Sequence, residues 1–127
     1  MQLVVPVGTL ANDVLLAKIA TRRATNNAGV TYSCASMPAV TGWTRLRCDE
    51  DGVRHVQAIY WKRAVAADVG TTVIWTLGTA NARVAGGMSV YRGANPVSPI
   101  DAHSGAITTY TTTVAAGTGL AVVAPSV

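Results

Sequence analysis

Asp49, Glu50 and Asp51 stand together in the stretch CDEDG and make up half of the six acidic residues in a chain of 127. Paired carboxylates run glycoside hydrolysis when they are held across a cleft, and Asp-x-Asp followed by glycine resembles part of a calcium loop. The other ligands and the closing glutamate of that loop are missing here. An Asp-Gly step is also a strong hairpin signal, so the three acids read as a charged hairpin tip and no metal is expected. His55 and His103 are the only imidazoles. A zinc site or a nucleophile with its base would require the fold to bring one of them to Cys34, Cys48 or a serine. The run Asp101-Ala102-His103-Ser104 holds the residue types of a triad, but neighbours on a turn cannot face one another as residues from separate segments do. Gly86-Gly87 lacks the lysine and hydroxyl that make a phosphate loop specific. The sequence thus points to no catalytic residue and no cofactor, and the chain is expected not to be an enzyme.

Cys34 and Cys48 could pair in an oxidising setting, but two separated thiols with no CxxC spacing read more often as unpaired and partly buried. Trp43, Trp61 and Trp75 could form a stacking platform for sugars. With no Phe in the chain, however, these rings are needed to fill a core, and core packing is the expectation for each. Tyr32 and Tyr110, in a loop and in a Thr-rich strand, are the aromatics expected at the surface. Together with Tyr91 they are the candidates for glycan or partner contact.

The elements that must position these residues are short and extended. Val and Thr are plentiful while Glu occurs once and Lys twice, a composition that favours strands over helices. Residues 2–7 read as a first extended run that Pro6 marks as an edge or a strand end, since proline cannot donate to a ladder. Asn12 and Asp13 turn the chain into a second strand, Val14 to Thr21. Residues 24–41, small, polar and broken by Asn26, Asn27, Gly29 and Pro38, read as a long surface loop with at most one short strand. Trp43 to Arg47 and Val53 to Lys62 form a hairpin about Asp51-Gly52. In Thr71 to Leu77 the residues Val73, Trp75 and Leu77 share a face. In Arg83 to Arg92, Val84, Met88 and Val90 point one way while Ala85, Gly87, Ser89 and Tyr91 point the other. Gly86-Gly87 marks a bulge or a place where a large side chain such as a tryptophan lies across the backbone. Ile107 to Val114 and Leu120 to Ala124 bring the count to about eight. Short strands with regular turn punctuation predict an all-β domain spanning residues 1–127, an antiparallel β-sandwich of jelly-roll-like form.

The formal charge of +4 comes mostly from arginines that never run longer than two. Nucleic-acid binders concentrate such charge on one face or helix, so nucleic acid is not an expected partner. No stretch approaches the roughly 20 apolar residues of a spanning helix and the N-terminus lacks the pattern of a secretory signal. A soluble, unprocessed protein is expected, with no membrane partner.

The ordered series PVGTLANDVLLAKIA, GWTRLR, VQAIYWKRA, VIWTL and GGMSVYRGANPVSPIDA resembles a β-sandwich module of tailed-phage virion proteins, of the minor tail and head-surface type, found also in some bacterial surface proteins. The signatures are Pro6, Gly8 and Asp13; Gly42, Trp43 and Thr44; Tyr60, Trp61 and Lys62; Tyr91, Arg92 and Gly93; and Pro99, Asp101 and Ala102. They cover about residues 4–103 in order. The resemblance implies a non-enzymatic structural component of the virion, a head-surface decoration, fibre or tail-associated protein assembled in the host cytoplasm. Similar modules continue with further strands after a segment like 119–127, which implies a sandwich completed by a longer parent chain or by a neighbouring subunit through β-augmentation. An open Thr- and Val-rich edge needs covering, so a homo-oligomer docked to other virion proteins is expected. The alternative is a carbohydrate-binding adhesion module for host-surface glycans.

Overall fold

The structure, a computed structural model, describes residues 1–22, 33–52, 55–77 and 83–105 together with the backbone of 121–122. The described residues form an all-β, antiparallel, sandwich-like fold. Their eight strands are β1 (Gln2–Val4), β2 (Val14–Arg22), β3 (Thr44–Glu50), β4 (His55–Arg63), β5 (Thr72–Ile74), β6 (Arg83–Tyr91), β7 (Ile100–Ala102) and β8 (Ala121–Val122). The strand expected at Ile107 to Val114 lies outside the described residues. Among the described residues the only helical pieces are 3-10 turns at Cys34–Ser36 and Ala66–Asp68, and no helix is long and apolar enough to cross a membrane.

The main sheet runs β3-β4-β2-β6, with β1-β5 and β7-β8 as separate two-stranded sheets. β2 is central because of its sequence. Val14, Leu15, Leu16 and Ala17 are all buried, whereas beyond them exposed Lys18, Ala20 and Arg22 alternate with buried Ile19 and Thr21. A continuous apolar run is what a strand covered on both faces needs, and alternation is what a half-covered one needs.

The inner face carries Ala17 and Ile19 of β2 and Val56, Ala58 and Tyr60 of β4, in one cluster with Met37 and Trp75. The β1-β5 layer closes over it, with Met1, Leu3, Val73 and Leu77 packed against the cluster. This gives unequal layers, four strands against two. The β1-β5 pairing continues past the strand ends, where the Met1 amino group donates to the Trp75 carbonyl and the Trp75 N–H donates to Met1. β1 stops before Pro6 as expected, with Val5 N–H making one further bond to Thr71.

Arg47 and Arg63 lie on the other face, opposite Ile59 and Val14 in the ladders. Arg63 donates to the carbonyls of Asn95 and Pro96, and Arg47 to that of Gly105. They fasten the segment after β6 to this face of the sheet. Ala121–Val122, within the strand expected at Leu120 to Ala124, pairs with β7.

Of the two expectations for the glycine pair, the bulge is absent, because the β2-β6 register runs unbroken through Gly86 and Gly87. The close side-chain approach is present at Gly86, where the groups are those of Ile19 and Met1. A methyl group at Gly86 would sit 2.7 Å from the Lys18 carbonyl oxygen and 3.0 Å from both Ile19 Cδ1 and Met1 Cε, whereas nothing lies within 4 Å of one at Gly87. Gly86 is required because backbone, Ile19 and Met1 already occupy the space. We expect Gly86→Ala to lower stability in urea denaturation by about 1–3 kcal/mol. Gly87→Ala should be neutral or slightly stabilising, since it restricts the unfolded chain. Equal midpoints for the two variants would contradict this packing.

Candidate functional site

The three acids of CDEDG and His55 are spent on local structure. Asp49 takes a fork of hydrogen bonds from Arg47 at 2.6–2.9 Å. Glu50 accepts the Cys34 N–H, and Asp51 accepts the backbone N–H of His55 and contacts its Nδ1 at 2.8 Å. The tip of the β3-β4 hairpin is thus cross-braced. Asp101, His103 and Ser104 are exposed at and just after β7. Among the described residues no group of three or more His, Cys, Asp or Glu side chains could hold a metal.

Cys34 and Cys48 are disulfide-bonded, with Cα atoms 5.8 Å apart, which corrects the expectation of unpaired thiols. The physical reason is the path of residues 33–43. This segment folds back over the inner face of the sheet, where Cys48 sits one ladder step from Arg47 and opposite Ala58. Two further ties hold it there. Arg45 Nη1 donates to the Cys34 carbonyl at 2.7 Å, and the Tyr60 hydroxyl donates to the Pro38 carbonyl at 2.8 Å. Burial pushes the Tyr60 phenol above its ordinary pKa, against the opposing influence of Arg45, so the hydroxyl stays a donor at neutral pH.

The fastened segment shapes two depressions that share Trp43 and Ala39. One, of about 430 Å³, is lined by Met37, Pro38, Trp43, Arg45 and Tyr60 among others. The second, of about 440 Å³, is lined by Thr41, Trp43, Lys62, Asp68 and Thr72 among others. Both sizes fall within the range of small-molecule sites. Trp43 is half-buried, its ring edge-on to the fully buried Trp75 at 5.3 Å between centroids. Arg45 lies opposite Tyr60 and Lys62 opposite the buried Leu15, so strand alternation puts all of these side chains on the inner face, and Thr72, Val73 and Ile74 of β5 form the other side of the second depression.

Lys62 Nζ meets Asp68 Oδ1 at 2.5 Å, and Val65 N–H donates to Asp68 Oδ2. Burial acts to raise the Asp68 pKa, but the Lys62 and Val65 hydrogen bonds outweigh it and leave the carboxyl below its ordinary value. This half of the trough therefore presents a neutralised ion pair, and the other half a guanidinium beside a phenol and an indole.

The predicted contact residues are not gathered here. Tyr91 is exposed on the opposite face, beside Val14 in the ladder. Tyr32 and Tyr110 lie outside the described residues. Trp61, expected in the sheet packing, is half-buried on that outer face opposite Leu16. Arg45 and Lys62 were not foreseen. The readable signal was a cation two residues after Trp43 and another two after Tyr60, on hairpin strands whose alternation points them inward. The irregular register between Arg45 and Arg47 hides that alternation further along β3.

Away from the trough, Asp13 is buried and binds the Leu10 N–H at 2.8 Å and Arg92 at 3.0 and 3.2 Å. Arg92 also donates to the Gly8 carbonyl. The Arg92 and Leu10 hydrogen bonds outweigh burial and lower the Asp13 pKa. A depressed carboxyl contributes stability above its unfolded value, about 4, and loses it as pH falls through the folded value. Thermal melts should therefore show an acid-side loss that shrinks in Asp13→Asn, with a lower plateau at pH 7. An unchanged pH profile in that variant would exclude the Asp13–Arg92 clasp as its source.

No family model matches the chain, and comparison with curated proteins and with solved structures returns no match.

Proposed function

We propose that this chain is a non-enzymatic structural module of a tailed-phage virion, located on the head surface or tail, that self-associates and docks to other virion proteins. The observation that carries this reading is the use made of the signature residues. Asp13 of the first motif is clasped to Arg92 of the YRG motif, Gly42 and Gly93 take left-handed backbone at φ 79° and 73°, and Tyr60 fills the core. Motifs spent on clasps, turns and core specify a scaffold, and a scaffold is what particle architecture requires. Self-association is supported by β6, a nine-residue strand whose one ladder partner among the described residues is β2. Such an edge is a template for strand addition. Mass spectrometry and immunogold labelling of purified particles test the proposal: the protein should co-purify in fixed stoichiometry and label one structure. Its recovery only from infected-cell cytoplasm would defeat it.

A second reading, a carbohydrate-binding module for host-surface glycans, is favoured by the trough at Trp43, where an aromatic ring is flanked by hydrogen-bonding side chains. The two readings are compatible, because a virion surface module can also adhere.

A further inference from the structure

We infer that the trough at Trp43 is a subsite for an acidic glycan, with the carboxylate of a uronic-acid-type sugar on Arg45 and a neutral sugar in the Lys62–Asp68 half. The inference rests on the glycan reading above and adds to it the chemical class of ligand and its orientation.

The two halves differ in charge. In the Tyr60 half the lining holds one cation, Arg45, and no carboxylate. A guanidinium has a planar fork of five donors that matches a carboxylate, and this one is held in place by the Cys34 carbonyl at 2.7 Å. Preorganisation of that kind lowers the entropy lost on binding. In the other half Lys62 is neutralised by Asp68 at 2.5 Å. A paired ammonium and carboxylate, with Thr41 and Thr72 beside them, can donate to and accept from sugar hydroxyls but gain little from a second anion. Between them stands Trp43, common to both depressions, where the apolar face of a pyranose ring would pack. A ligand spanning both sides is therefore at least a disaccharide, with its acid at the Arg45 end. The formal charge of +4 also favours encounter with a polyanionic glycan.

The test uses the whole chain, oxidised, in about 0.15 M salt, where exposed charges are largely screened beyond about 8 Å. The probes are a disaccharide of glucuronic acid and N-acetylglucosamine and its carboxyl-reduced, neutral counterpart, followed by tryptophan fluorescence and calorimetry. The acidic sugar should bind saturably and the reduced one about tenfold more weakly, the size of one charge-assisted bidentate contact. Arg45→Gln should remove that preference, Arg45→Lys should keep part of it, and Trp43→Ala should weaken both sugars. Should Arg45→Gln melt well below the parent, the acidic-to-neutral ratio on the parent chain decides. Equal binding of the two sugars would overturn the acidic assignment and leave the glycan reading standing. Binding of neither at millimolar concentration would overturn both, and full binding by Trp43→Ala would overturn the location.

Discussion

Replacing Trp75 with alanine is expected to cost about 3–5 kcal/mol and to lower the melting temperature by on the order of 10 °C or more. Trp75 is fully buried, sits in the main cluster with Ala17, Ile19 and Tyr60, and packs edge-on to Trp43 and tilted against Tyr60 at 5.8 Å. Its backbone also closes the β1-β5 ladder onto Met1. Truncation would empty the space between the two layers where relaxation is hardest, because the surrounding side chains belong to hydrogen-bonded strands on both sides. Trp61→Ala is the internal control. That ring is half-buried on the outer face, so its loss should cost no more than about 1–2 kcal/mol. Equal destabilisation by the two substitutions, measured by chemical denaturation, would show that the core has been placed on the wrong side of the sheet.

Reduction of the Cys34–Cys48 bond is expected to destabilise by about 3 kcal/mol, the entropy of closing a loop of roughly 15 residues, since the bonded cysteines are 14 apart in sequence. The Cys34→Ser/Cys48→Ser double variant should melt like the reduced protein and should not respond to reductant. The effect has a local component too. Arg45 and Tyr60 would still reach the carbonyls of Cys34 and Pro38, but as individual hydrogen bonds worth about 1 kcal/mol each. The wall of the trough should therefore become mobile before the sheet melts, seen as faster amide exchange at residues 33–43 than in β4. Identical melting with and without reductant would mean that the segment is held by those bonds alone.

Most of the scaffold was legible because strands announce themselves by alternation and turns by glycine and asparagine. Val14 to Thr21 reads as a strand, Asp51-Gly52 sets the β3-β4 hairpin, and Val73, Trp75 and Leu77 share one face as expected, whereas the central place of β2 shows only in the ladders. The disulfide was illegible because it depends on the return path of a long loop, and no residue spacing encodes a return path. The role of Gly86 was legible only as a question: the sequence says that a side chain is unwelcome but not which neighbour excludes it. The trough was missed for a different reason. Sequence reasoning sought exposed rings and so favoured tyrosines, whereas the structure presents Trp43 at the border of the core, a position that depends on how far the β1-β5 layer extends.

The scaffold depends on β2 being the innermost strand, with β4 and β6 bonded on either side and both faces covered from Val14 to Ala17. Native-state amide hydrogen exchange measures this directly, because the slowest amides report the elements that open only with global unfolding. The slowest set should lie in Val14–Thr21 and in the β4 residues paired with it, ahead of the outer strands β3 and β6. Exchange in β2 as fast as in those outer strands would contradict the arrangement from which the trough, its disulfide-held wall and the Asp13–Arg92 clasp all follow.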